Sequence, residues 1–169
     1  YACATAYYDE SLALYTELGD KHQIALVRCS LAYLAHQHGD DMQAAALLMD
    51  NLRLCCDHTF QDGIAGCLLG FSWVSVARGQ SERAARLLGA AMQARPVQAA
   101  RLLGALPSPT EIASALIGPF NHPAFEHNLA TVRAQLDEAT FAAAWAEGCE
   151  MMLEQAIAYA LEDTTSPST

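Results

Sequence analysis

Apolar residues recur at spacings of three and four along most of the chain. Ile24, Val27, Leu31 and Leu34 make one stripe; Ala44, Ala45, Leu47, Leu48 and Leu52 make the next, with Gly39-Asp40 between them. Such spacing covers one face of an α-helix. A glycine followed by a short polar residue closes one helix and opens another, so the two stripes predict a helical hairpin. Gly79 with Ser81 does the same for the next pair, with Ser81 expected to cap the second helix. No strand-like alternation of useful length occurs. A 40-residue shift of the sequence on itself aligns Ile24-Ala25 with Ile64-Ala65, Gly39 with Gly79, Ala44-Ala45 with Ala84-Ala85, and Leu47-Leu48 with Leu87-Leu88. It also sets Leu31, Tyr33 and Leu34 against Phe71, Trp73 and Val74, and a step back brings Ala4 under Ala44 and Leu12 under Leu52. The chain therefore holds about two and a half copies of one unit, the periodicity of a stacked array.

From Met92 the register is lost. Arg83 to Ala90 is echoed by Gln98 to Ala105, 15 residues on, with Pro96 between the copies to kink or break the helix. Leu106-Pro-Ser-Pro reads as a linker, and Ser108-Pro109-Thr110-Glu111 as a helix start leading to about Ile117. A further helix begins at Asn121-His122-Pro123 and runs through Phe125, Leu129 and Val132 to about Leu136. Asp137 caps a short helix from Glu138 to Ala146, Gly148 breaks it, and a last helix covers Met151 to Leu161. The polar stretch 163–169 reads as a flexible tail. The expected architecture is all-α: helix hairpins over 1–92, a helical C-terminal cap over 93–162, then the tail.

Composition narrows the function classes. With 53% hydrophobic and 17% charged residues the 169-residue chain is no disordered segment. A formal net charge of −10 repels phosphate backbones and anionic lipid, which argues against nucleic-acid or membrane partners. No apolar run approaches the ~18 residues of a membrane span. The six cysteines form no C-x-x-C pair and fall mostly in apolar helical patterns, as small buried hydrophobes do in a reducing compartment; the cytoplasm is expected. An opening at Tyr1 without a leader pattern suggests a cut from a longer chain.

The units resemble tetratricopeptide repeats of the slightly long type found in bacterial signalling regulators. Counted from Gly39, the family's small positions fall on Ala32 and Ala44 and its bulky ones on Leu31 and Leu48. From Gly79 they fall on Ser72, Ala84 and Ala91, and on Phe71 and Leu88. Asn51 and Ser11 stand where the family prefers Ala, and the aromatic expected near Ala35 and Ser75 is missing. The stretch from Phe125 to Gly148, followed by Leu153 to Glu162, is similar to the segment that closes the repeat region of large LuxR-type transcriptional regulators and of ATPase-linked signalling proteins. Arg86 to Ala90 is also typical there. The resemblance implies a non-catalytic segment of a larger regulator, sensing an effector or binding a protein or peptide, without a cofactor. It also implies a concave recognition face lined by the first helix of each unit: Leu26, Cys29, Tyr33, His36 and Gln37, then Gly66, Leu69, Trp73, Val76 and Ala77. Tyr33 and Trp73 are equivalent one repeat apart, as a row of rigid anchors requires. The alternative is a structural spacer or oligomerisation module whose C-terminal helices fill that face.

The residues themselves offer little chemistry. No phosphate loop, G-x-G-x-x-G, H-E-x-x-H or G-x-S-x-G is present, so no catalytic residue is named and an enzyme is not expected. His36-Gln-His38 and Cys55-Cys56-Asp-His58 lack the four ligands zinc takes, and His36 and His38 lie about 200° apart around a helix. No metal is expected. Arg78, Arg83, Arg86, Arg95 and Arg101 fall in a stretch whose one acid is Glu82, a candidate patch for an anionic partner unless acids of a neighbouring helix pair with it. An array cut at Tyr1 leaves an apolar stacking face without its neighbour, which predicts a homodimer through Ala2 to Leu18 or its adjoining helix.

Overall fold

The structure, a computed structural model, describes residues 2–94 and 122–162. It is all-α, with eight helices and no strand among the described residues. They are α1 (Ala2–Leu18), α2 (Lys21–Gln37), α3 (Asp41–Asp57), α4 (Gln61–Ala77), α5 (Ser81–Gln93), α6 (His122–Gln135), α7 (Glu138–Glu150) and α8 (Leu153–Glu162). The kink at Pro96, the helix from Pro109, Arg95, Arg101 and the tail 163–169 lie outside the described residues. No described helix is long and apolar enough to cross a membrane.

One turn, used four times, makes the hairpins. After α2 the chain passes through Gly39 at φ 78°, with Gly39 N–H donating to His36 O and Asp40 N–H to Ala35 O. This pair of bonds satisfies the last carbonyls of the helix and requires the left-handed conformation at its centre. Gly19 and Gly79 repeat it, and Thr59 occupies the third site at φ 56°. The residue after the turn is also the N-cap of the next helix. Asp20 and Asp40 accept from the backbone N–H of Gln23 and Gln43, whereas Phe60 and Gln80 make no side-chain cap. Ser81 is therefore not the cap expected from sequence: it is the first residue of α5, and its hydroxyl donates to Gln135 Oε1 on α6.

Consecutive helices α1 to α5 pack in order, and α4 also packs on α2, so its inner turns are enclosed from several sides. Twelve of its seventeen residues, from Gly63 to Ser75, are buried, because α2 and α3 lie on one flank and α5, α6 and α8 on the others. That enclosure explains why α4 carries apolar residues almost all round. Leu48, Leu52, Leu68, Leu87 and Leu88 are fully buried at the junctions, in a core that continues through Val132, Phe141, Ala144 and Ala156.

The C-terminal helices attach through α5, whose most extensive contact is with α7. Gly148 was expected to break α7. Instead the helix runs through it to Glu150, because two glycines let the backbones touch: a Cβ on Gly148 would lie 2.0 Å from Arg86 O, and one on Gly89 2.4 Å from Trp145 O. Asp137 caps α7 as expected, its carboxylate accepting from Thr140 Oγ1 at 2.6 Å and Thr140 N at 2.9 Å. These two bonds, the hydroxyl foremost, hold the Asp137 carboxyl below the usual range. α8 starts at Leu153 rather than Met151, and Gln155 Oε1 reaches back to Met152 N–H, one half of a capping box.

Candidate functional site

The 40-residue period places Tyr33 on α2 and Trp73 on α4 side by side, with ring centroids 5.1 Å apart and planes tilted by 59°. His36, one turn after Tyr33, lies nearly parallel to the indole at 6.1 Å, and its Nδ1 is 2.6 Å from Asp41 Oδ1 on α3. The carboxylate fixes the ring's orientation while the ring covers the indole.

Equivalent positions do not have equivalent surroundings. Tyr33 is half-buried, but Trp73 is 5% exposed and Leu69 4%. The cause is α6, which packs on α4 and α5 and is pinned by polar contacts. Asn128 Nδ2 donates to Ser72 Oγ at 2.7 Å, Ser72 Oγ donates to Leu69 O at 2.6 Å, and Gln135 takes the Ser81 hydroxyl. Asn128 and Ser72 are buried, so these bonds are shielded from water. α6 does not close the face completely. Between it, α2 and α4 remains a cavity of about 320 Å3 lined by Tyr33, His36, Gln37, Trp73 and Val76 together with His127, Asn128 and Thr131. Trp73 Nε1 is buried without a hydrogen-bond partner.

Five of the residues expected on the concave face, Tyr33, His36, Gln37, Trp73 and Val76, thus line one cavity. Leu26 is 40% exposed outside it. Cys29 turns toward the helix junction, where its sulfur takes Asn51 Nδ2 at 3.2 Å. His127, Asn128 and Thr131 escaped the sequence reading because α6 follows a long stretch without repeat register. The one available signal was a polar residue, Asn128, four positions before Val132 on the buried side of the helix.

No protein-family model, curated protein or solved structure matches the chain.

Two of the three described arginines of the patch, Arg83 and Arg86, are turned to internal work. Arg83 Nη2 donates to Tyr159 O at 2.7 Å and Ala160 O at 3.2 Å, closing the end of α8, and the guanidinium lies 4.6 Å from the Tyr159 ring centroid. Arg86 Nε is 2.5 Å from Glu147 Oε2 on α7 and its Nη2 3.4 Å from Glu82 Oε2. Arg78 sits at the C-cap of α4. Acids and carbonyls of neighbouring helices therefore take two of the five arginines named for an anionic partner.

A polar island lies at the α2, α3 and α4 junction. Asn51, fully buried, donates from Nδ2 to Ala25 O at 2.9 Å and faces the thiols of Cys29 and Cys67, while its Oδ1 has no partner. Hydrogen bonds to Cys29 and Cys55, and then burial, push the Cys67 thiol well above its usual value. All six cysteines are free thiols. Among the described residues no three His, Cys, Asp or Glu side chains are grouped so as to hold a metal ion.

Proposed function

We propose that this chain is a non-catalytic recognition segment, a tetratricopeptide-like array that belongs to a larger LuxR-type signalling or transcriptional regulator. It binds a protein, peptide or small effector where α2, α4 and α6 meet. The observation that carries this reading is the cavity of about 320 Å3, lined by five residues that the repeat register assigns to one face. Its volume is at the lower end for small-ligand sites, and its walls are aromatic and imidazole rings that lose little rotamer entropy on binding. Because α6 supplies three of the lining residues, occupancy changes how the C-terminal helices sit on the repeats, which is a route to flanking domains.

The second reading is a spacer with its concave face filled from within. The buried Asn128–Ser72 bond and the cover over Leu69 and Trp73 favour it. A thermal-shift screen of the chain against peptide and metabolite panels separates the two. A recognition segment gives saturable stabilisation that Val76→Trp, which fills the cavity, removes without lowering the ligand-free Tm by more than a few degrees. A spacer gives none.

A further inference from the structure

Three helices bring three thiols to one buried point. Cys29 comes from α2, Cys55 from α3 and Cys67 from α4. An amide NH2 carries two hydrogens. That of Asn51 gives one to Ala25 O at 2.9 Å, so the Cys29 and Cys67 sulfurs, 3.2 and 3.4 Å from the same Nδ2, share the other and lie side by side. The Cys67 thiol in turn bonds to Cys29. Glycine draws the two backbones together at this point: a Cβ on Gly66, the residue before Cys67 on α4, would sit 3.3 Å from Cys29 Sγ. A disulfide needs such an approach, since it spans a Cα separation of about 4.4 to 6.8 Å. The two thiols differ in access. Cys29 is half-buried, whereas Cys67 is fully buried. Bonds to Cys29 and Cys55, and then burial, keep Cys67 protonated. Cys29 is therefore the thiol that a small oxidant meets, and Cys67 the one that waits behind it.

We propose that Cys29 and Cys67 form a reversible disulfide in response to hydrogen peroxide, tying α2 to α4. Cys29 as thiolate, the reactive form of a cysteine, attacks the peroxide O–O bond and takes one oxygen; it becomes a sulfenic acid, and the other oxygen leaves as water once protonated. The Cys67 sulfur then attacks Cys29 Sγ. The S–S bond forms, the S–O bond breaks, and the Cys67 proton departs with the hydroxide as a second water. Two thiols and one peroxide thus give one disulfide and two waters, the sulfurs losing the two electrons that the peroxide oxygens gain. The oxidant never has to reach Cys67. Cys55 is no entry point, being 0% exposed with its sulfur against Gly63. A bond of this kind, made and reduced in turn, suits a reducing compartment, where disulfides are transient and redox-sensing. Cys29 lies one helical turn before Tyr33, so the bond fixes the spacing of α2 and α4 beside the cavity wall, and it forms whether or not the cavity binds anything.

The test treats the folded full chain with hydrogen peroxide and, in parallel, with diamide, which removes the same two electrons from a thiol pair. Remaining thiols are alkylated, and the non-reduced chain is cut after Lys and Arg and before Asp. These cuts leave Cys29 in 29–39 and Cys67 in 62–78, both apart from Cys55 and Cys56. Mass spectrometry should find 29–39 linked to 62–78, a species lost on adding dithiothreitol and absent from Cys29→Ser and from Cys67→Ser. Cys55→Ser should retain it. The oxidised chain should also melt several degrees above the reduced one, because the cross-link closes a long loop of the unfolded chain. Cys29 and Cys67 that both stay open to alkylation under the two oxidants overturn the proposal, as does sulfinic or sulfonic acid at Cys29 in place of the link. A bond that joins Cys55 to Cys67 instead, or one that forms only in urea, overturns it as well.

Discussion

At Thr59 the repeat asks for a conformation that its residue dislikes. Gly19, Gly39 and Gly79 fill the left-handed position of the other three turns, whereas Thr59 holds φ 56° with a β-branched side chain. A residue with a Cβ costs about 1 to 2 kcal/mol in that region. Thr59→Gly should therefore raise stability by about 1 kcal/mol after the extra freedom of glycine in the unfolded chain is counted. Urea unfolding with an unchanged m-value checks it, and a loss of stability would mean that the Thr59 side chain makes a compensating contact. The thiols allow a second test at this scale. Cys67 is held protonated by Cys29, Cys55 and burial, so its raised value favours the folded state fully below the ordinary thiol pKa of about 8.5, and that contribution is lost as pH rises through the folded-state value. Stability should fall on going above about pH 8.5, and Cys67→Ala should flatten that fall. In native buffer exposed Cys3 should react with a thiol reagent far faster than buried Cys67.

At the scale of elements, the α5 and α7 crossing depends on glycine having no side chain. Gly148→Ala would place a methyl group 2.0 Å from Arg86 O, a clash with backbone that no rotamer relieves. It should cost about 2 kcal/mol or more, measured by urea denaturation; a neutral effect would show that the two helices slide apart freely. The same crossing explains a failure of local reasoning. Gly148 reads as a helix breaker because glycine is a poor helix former, yet tertiary contact overrides a propensity of about 1 kcal/mol. Sequence placed the turns at Gly39 and Gly79 because each follows an apolar stripe and carries a glycine suited to the left-handed position. The Ser81 expectation failed because α6 takes its hydroxyl, a partner 54 residues away.

For the whole molecule, α1 shows what a helix packed against a single neighbour looks like. Ala4, Thr5, Tyr8, Ser11, Leu12 and Tyr15 are half-buried, while their counterparts one repeat later, Ala44, Ala45, Leu48, Asn51, Leu52 and Cys55, are buried. α3 is sandwiched by α2 and α4, but α1 packs chiefly on α2. Tyr7, Leu14 and Leu18 stay 70%, 53% and 77% exposed. At high micromolar concentration the chain should sediment as a dimer, and Leu14→Glu should return it to monomer without loss of helicity. A monomeric mass for the unaltered chain would refute this.

The periodic part of the protein was legible because an amphipathic stripe, a left-handed turn residue and a cap are local signals, each readable within about one helix. So the all-α class, the hairpins of α2 to α5 and the alignment of Tyr33 with Trp73 came from residues alone. What covers that pair did not. Burial of Trp73 depends on α6 lying over α4, on Asn128 finding Ser72 and Gln135 finding Ser81, and on two glycines letting α7 meet α5. Those contacts join residues 54 or more positions apart, and no periodicity in one chain records them, because the energy that selects them arises only when separate helix surfaces meet.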